Sequence, residues 1–474
     1  MTNSKSLLTL GLVLACGALT LSLAVRSQAQ TINFLAAFNG TNGEDPSSVI
    51  QATDGNFYGT TIFGGPALHG NVVRITPAGE ISTLYDFCSR PHCLDGANPY
   101  TPPILGSDGN LYGVTAMGGS TANGGAGWGT VYKLTLDGHL TTLYAFCTGD
   151  LPCLDGLDPV GLVQAADGTL YGTAFEGGQF NGGTLFKLTP AGKFSLVHIF
   201  CSSANCADGQ WPESAPIQGS DGNLYGVTLL GGKADAGVLY DLTPAGRFNV
   251  VHTFLCFDDS CNLGGEPNSV MQDAAGNLFG ATGGGGAFGE GTIFEITPQH
   301  QYLNLYTFTE SSPLGLTRAN DGNFYGLTGG INGAGTIFQF TQSGTFNTLY
   351  TFTCCTAGSN PGSTIFQAPD GNLYGSVAFY GDQTYGAIYS FSNGLNPLVQ
   401  TNPTTGKVGR SVIILGNGLT GSTSVTFNGV AAEFTVESDT YIKAAVPTGA
   451  TTGTVSVVTP AGTLNSNPEF VVTK

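Results

Sequence analysis

The chain has 474 residues, 73 of them Gly, with 10% aromatic and only 10% charged residues. Gly without a strict three-residue period rules out collagen, and the aromatic content argues against a disordered polymer. Fourteen Lys+Arg against 32 Asp+Glu, a net −18, argue against a nucleic-acid binder, whose affinity rests on cations at phosphates, and the length calls for several domains or a repeat array.

Residues 1–29 read as a secretory signal. Lys5 supplies a positive start, Leu7 to Val25 is apolar or small and uncharged, and Ser27-Gln28-Ala29 offers a small-x-small cleavage site. An uncleaved anchor is the alternative, since the apolar run approaches the length of a span; Arg26 and the small residues after it favour cleavage. The mature protein is expected to be secreted, periplasmic or at the cell surface, with no later membrane span. Cleavage removes two bases and no acid, leaving 12 bases against the 32 acids. All of that acidity falls on residues 30–395, because the remainder carries four bases and four acids.

A unit recurs seven times through residues 30–395. Its mark is Asp-Gly-Asn-Leu-Tyr-Gly and variants, with the second Gly at Gly59, Gly113, Gly172, Gly226, Gly280, Gly326 and Gly375. Spacings of 46 to 59 residues suit propeller blades, and no long apolar stripe of period 3.6 predicts a helix. Each unit reads as four short strands. The first follows a Pro, as in Pro46-Ser-Ser-Val-Ile-Gln51, and a tight Asp-Gly turn leads to the second. A Gly-rich loop leads to the third, as in Gly129-Thr-Val-Tyr-Lys-Leu134, and a Thr-Pro-Ala-Gly turn to the fourth.

The last unit stops after its third strand, Ala387 to Phe391, while Phe34-Leu-Ala-Ala-Phe38 matches a fourth strand with no preceding three. The expected fold is therefore all-β: a seven-bladed β-propeller closed by the N-terminal strand, followed by a small Ig-like β-sandwich. A parallel β-helix is the alternative, disfavoured by its shorter coils. In such a ring the short, repeated 1–2 and 3–4 turns share one face. The variable 2–3 loops and the 4–1 connections share the other, where function is expected.

Eight of the 11 Cys form close pairs in the 4–1 connections. Metal ligation is one reading, but neither Cys-x-x-Cys nor a His pair recurs. In an exported chain the spacing reads as one small disulfide loop per repeat: Cys88 with Cys93, Cys147 with Cys153, Cys201 with Cys206, and Cys256 with Cys261. Cys354 and Cys355 are adjacent, either bonded to each other or free.

Gly-x-Gly-Thr-(Val/Ile)-Phe-x-Leu-Thr-Pro-x-Gly together with Asp-Gly-Asn-Leu-Tyr-Gly resembles the tandem repeat of the bacterial choice-of-anchor GloVer-type proteins, across roughly residues 31–395. The resemblance implies a propeller-like surface protein and carries over no catalytic residue. From Asn396 the grammar changes. Pro403-Thr-Thr-Gly-Lys-Val-Gly409, Val412-Ile-Ile-Leu-Gly-Asn-Gly-Leu419 and Thr454-Val-Ser-Val-Val-Thr-Pro-Ala-Gly462 resemble an IPT/TIG domain over residues 396–474. That resemblance implies an immunoglobulin-like sandwich used in adhesion or spacing.

Asp95, Asp155 and Asp208 each follow the second Cys in Cys-x-Asp-Gly. They are either a carboxylate ring for Ca²⁺ or a local turn device, and the turn is favoured because they recur at equivalent positions. No other cofactor is expected. His198 and His252 stand where other units have Tyr85 and Tyr144, and read as packing. No nucleophile elbow, metal-spaced His pair or phosphate loop is present. Trp128, Phe180, Phe288, Tyr380 and Tyr385 fall in 2–3 loops and Trp211 in a 4–1 loop. They are candidate stacking platforms for a glycan or apolar partner, or else they pack the loops down. The leading expectation is a non-enzymatic exported binding or adhesion protein whose partner is an extracellular glycan or surface protein. A propeller enzyme acting on polysaccharide and a structural envelope protein are the rivals.

Overall fold

Strict alternation along short strands, broken by Gly turns, favours antiparallel hairpins. The computed structural model describes residues 30–121, 127–149, 152–255, 263–329, 334–353, 358–362, 364–380 and 385–473. Six four-stranded antiparallel sheets follow in chain order, from Glu44–Gln51 through Ile81–Asp86 to Pro313–Arg318 through Phe346–Thr351. The seventh is built from both ends of the repeat region. Leu373–Phe379 pairs with Ala387–Ser392, whose free edge takes the N-terminal strand Thr31–Ala37, with Thr31 opposite Ser392 and Ala37 opposite Ala387. The only helical segments among the described residues are short 3-10 turns, such as Pro91–Cys93 and Ala204–Cys206, and no helix there is long and apolar enough to cross a membrane.

Adjacent blades meet through one repeated contact. A Cβ on Gly183 would lie 2.7 Å from the Pro212 ring of the next blade, and one on Gly386 would lie 2.4 Å from the Pro46 ring. The second pair joins the seventh sheet to the first. Ala36, Phe38, Tyr374 and Ile388 of the seventh share a core with Val49, Phe57 and Val73 of the first.

The repeated mark has a physical cause at each position. The Asp caps its own turn, Asn56 N–H donating to Asp54 Oδ1 at 3.1 Å, and accepts the Tyr hydroxyl four residues on, Tyr58 to Asp54 at 2.8 Å. The same Tyr–Asp bond recurs at Tyr112, Tyr225, Tyr325 and Tyr374. In the fifth blade Ala275 replaces the Asp and Phe279 replaces the Tyr, so donor and acceptor are lost together. The final Gly makes room for a ring on the third strand: a Cβ on Gly226 would meet the Tyr240 hydroxyl at 2.3 Å.

A glutamine at the end of the inner strand bridges neighbouring blades at the turn face. Gln164 Oε1 accepts from Ser107 N–H of the preceding blade at 2.8 Å, while its Nε2 donates to Gly168 O of its own turn at 3.2 Å. Gln218 and Gln367 repeat both halves. Gln272 accepts from Ser220 N–H at 2.6 Å.

The C-terminal segment folds as two four-stranded sheets around Val412, Ile414, Val425, Phe427, Ile442, Val455 and Val457. It does not stand off as a spacer. In the strand Ser411–Leu415, Val412 and Ile414 face that core, whereas Ile413 and Leu415 pack on Ala52, Tyr58 and Leu105 of the propeller.

Candidate functional site

The two faces of the ring differ in what covers them. At the turn face the sandwich bonds to inner-strand ends or their turns in five blades. Thr440 donates to Thr53 O at 2.9 Å, Asn402 to Leu105 O at 2.7 Å, and Thr405 to Gln218 Oε1 at 2.8 Å. Asn467 donates to Arg318 O at 3.0 Å and Gln400 to Gln367 O at 2.6 Å. The sandwich therefore sits over the axial end of that face, leaving the loop face for other contacts.

Exposed large apolar side chains gather on the loop face. Phe63 and Phe379 end second strands at this face, Leu68, Met117, Phe180 and Phe288 project from 2–3 loops, and Leu94, Leu154 and Leu263 from 4–1 connections. Phe288 is 63% exposed and Phe180 48%, values at which an aromatic ring is left largely to solvent. Among the described residues, no exposed large apolar side chain lies on a 1–2 or 3–4 turn, and Leu196, Val250 and Leu303 are exposed on outer strands.

The sequence-predicted aromatics divide into two groups. Phe180 and Phe288 are open. Trp128 packs on Cys147, Cys153 and Leu157, with its indole Nε1 buried and unpartnered. Trp211 donates its Nε1–H to Asn181 O at 3.2 Å and stacks on Phe175 at 5.8 Å between centroids. Tyr380 stacks on Phe34 at 4.3 Å, and Tyr385 packs against the core shared by the seventh and first blades. These four are half-buried, each with part of its ring surface in contact with its own loop or neighbour.

The same face carries acids without basic partners. Six blades place a left-handed residue before the inner-strand Pro, including Asp45 (φ 55°), Asp158 (φ 53°) and Glu266 (φ 57°). Each of these three donates its backbone N–H to the 2–3 loop of the preceding blade: Asp45 to Tyr385 O, Asp158 to Trp128 O and Glu266 to Ala236 O. Burial, and then the charge of Glu176, push the Asp158 carboxyl up to about 6. Burial and Glu44 raise Asp45, and burial and Glu266 raise Glu213. Burial raises the Tyr100 hydroxyl, with the charges of Asp158 and Asp45 adding to it. Glu213 and Glu266 of neighbouring blades thus lie within one another's fields, as do Glu44 with Asp45 and Glu176 with Asp158 within a blade, and the three ion pairs among the described residues include none of them. In the sequence, Glu44, Asp45 and Glu266 sit near the place that Asp95, Asp155 and Asp208 hold in other units, whereas Asp158, Glu176 and Glu213 carry no such mark; the recurrent Gly-x-x-Pro was the available signal for them.

Asp95, Asp155 and Asp208 are occupied by protein donors. Asp95 accepts from the Tyr85 and Ser89 hydroxyls and from the N–H groups of Ser89 and Arg90. Asp155 accepts from the Tyr144 hydroxyl and Cys147 N–H. Asp208 faces His198 Nε2 at 3.1 Å and accepts from Ser202 and Ser203. Burial alone would raise Asp208, but those donors hold it well below the usual carboxylate range. Each carboxylate is thus held by N–H and O–H donors of its own loop. His69, Cys88 and Cys93 lie close enough together to suggest a metal, but the two sulfurs are bonded to each other and offer no thiolate. Cys147–Cys153 and Cys201–Cys206 are bonded likewise. Cys256, Cys261, Cys354 and Cys355 lie outside the described residues.

Residues 20–207, 119–314 and 200–389 match the profile described as the Gloeobacter/Verrucomicrobia repeat, and residues 399–472 match the IPT/TIG domain. No curated protein matches the chain. Among solved structures the chain is similar to one described as the extracellular domain of a hybrid two-component system from B. thetaiotaomicron. The identity is 12% and the TM-score 0.49, with 94% of this chain and 59% of that one covered, so this chain spans about three fifths of its length. It is also similar to a protein described as a gluconolactonase, at 13% identity and TM-score 0.39 over 78% of this chain and 94% of that one. A luciferin-regenerating enzyme is similar at 14% and 0.40, over 62% and 92%.

Proposed function

The chain belongs to the Gloeobacter/Verrucomicrobia repeat family and carries an IPT/TIG domain, and from that premise we propose that it is an exported, non-enzymatic binding protein whose loop face engages a basic, partly apolar surface of an envelope or extracellular partner. One observation carries the reading: exposed apolar side chains and unpaired acids occupy the same face, opposite the one that the sandwich covers. Half-buried acids that repel one another are costly unless a cation joins them. A basic partner supplies that cation, and Phe180 and Phe288 supply apolar contact.

The test is a binding screen of the mature protein against basic, neutral and acidic amphipathic peptides and against glycans. Basic peptides should bind, and both Phe288→Ser and Asp158→Asn should weaken them about tenfold each, roughly 1.4 kcal/mol. Glycan binding with no response to peptide charge would sink the basic-partner reading. A second reading has one observation in its favour: an acid held near 6 beside Glu176 is poised for proton transfer. Turnover of a polysaccharide that Asp158→Asn abolishes would establish that enzyme reading instead.

A further inference from the structure

Between the turn face and the sandwich lies a cleft of about 1410 Å³, remote from the loop face and independent of its reading. Gln218, Gln272, Arg318 and Asn320 line it from the propeller, and Thr463 and Asn467 from the sandwich. Its walls are rich in amides and hydroxyls, the groups that pair with ligand hydroxyls, and Arg318 is the only base among the lining residues.

Arg318 breaks the repeat at this point. Its siblings in five blades are Gln51, Gln164, Gln218, Gln272 and Gln367. Arg318 keeps the donor half of the glutamine bridge, Nε–H to Gly322 O at 3.2 Å. It cannot keep the acceptor half, because a guanidinium has no acceptor. Ala274 N–H, the counterpart of Ser107, Ala166, Ser220 and Asn320 N–H, therefore loses the acceptor that those siblings have. No carboxylate compensates: among the described residues Arg318 forms no ion pair. Asp273, Asp370 and Glu469 also line the cleft; the first two are taken up by donors of their own hairpins, and none of the three pairs with Arg318. A residue that gives up a stabilising bond repeated around it marks a site where another demand prevails.

We propose that this cleft binds an acidic oligosaccharide, a chain of hydroxylated rings bearing carboxylates, with Arg318 as the carboxylate anchor. The guanidinium fork matches a planar carboxylate through two parallel hydrogen bonds, and wall groups without a protein partner among the described residues, such as Gln272 Nε2 and the Thr463 hydroxyl, take the ring hydroxyls. The volume and open shape suit several linked rings better than one small metabolite.

The experiment is calorimetric titration of the mature protein, residues 30–474, with tetragalacturonate and with its methyl ester, for the wild type and Arg318→Gln. The free acid should bind at least tenfold more tightly than the ester, and Arg318→Gln should lose that difference. The same variant should melt at a higher temperature, because Gln restores the acceptor for Ala274 N–H that the other blades possess. Weaker binding joined to higher stability separates a ligand role from damage to the fold. Equal binding of acid and ester, unchanged binding in Arg318→Gln, or no binding of either probe overturns the proposal.

Discussion

Tyr132, Tyr240 and Tyr389 bury their hydroxyls without a hydrogen-bond partner, at a position where Phe186, Phe294 and Phe338 stand in sibling blades. An unpaired buried hydroxyl is costly and the ring is what fills the space over Gly226, so Tyr240→Phe should stabilise by about 1 kcal/mol, read from denaturant midpoints. His252 and Asp158 make pH a second probe at this scale. His252 stands where Tyr85 stands in the first blade, but Leu263 replaces the acid that would meet it, and burial lowers it to about 4. Its folded value lies below the unfolded value near 6.5, so stability falls as pH drops from about 6.5 towards 4. His252→Tyr should remove that loss in melting curves recorded across this window. Asp158 runs the other way: its folded value, about 6, exceeds the ordinary 3.8, so its contribution to stability is present at low pH and lost as pH rises through 6. Asp158→Asn should therefore raise the melting temperature at pH 7, even as it weakens a basic partner.

The inner-strand glutamines act between elements. Gln51 Oε1 is buried and unpartnered because the turn residue it would reach in the seventh blade is Pro369, which has no N–H. Leu105 occupies the same position in the second blade, so leucine fits there. Gln164→Leu should cost about 1 kcal/mol by stranding Ser107 N–H, while Gln51→Leu should cost less, since only its bond to Gly55 O is lost. Unequal chemical-denaturation midpoints for the two variants would confirm the bridge. The disulfide loops join cysteines five or six residues apart, and loops this short give a chain-entropy gain of about 2 kcal/mol each. Asp95, Asp155 and Asp208 fasten the same loops from within, so mild reduction should lower stability without opening the blades.

Across the whole molecule, the N-terminal strand and the sandwich each close a surface. Deleting residues 31–40 leaves Ala387–Ser392 as a free edge, and the product should aggregate or melt far earlier. Deleting residues 396–474 exposes Ala52, Tyr58 and Leu105, against which Ile413 and Leu415 pack. That truncation should keep the strand signature in circular dichroism but melt earlier and self-associate. An unchanged melt would show that the sandwich contributes no stability to the ring. The signal for this docking was present in Val412-Ile-Ile-Leu415, since an unbroken apolar run means a strand buried on both faces. It went unread because the small sandwich, taken alone, requires only every second residue inside.

The blade, its turns and the seventh sheet's completion were legible from sequence because they rest on local chemistry and on counting strands. Asp-Gly-Asn-Leu-Tyr-Gly carries its own turn, its Tyr–Asp bond and its space for a ring within a few residues, and a chain with an unmatched strand at each end can pair them. The short cysteine spacings were legible for the same reason. Only the tertiary structure decided which side chains remain free. Trp128 and Phe288 look alike in the chain, yet one lies on a disulfide and the other in solvent. The acids at Asp158 and Glu213 acquire their raised affinity for protons from burial and from charges brought near by the fold, and Asp45 mainly from burial. Arg318 became conspicuous only once the ring of glutamines and the sandwich residue Asn467, 149 positions away, were seen around it. Local hydrogen bonds are encoded by neighbours in sequence, whereas burial and charge depend on neighbours in space.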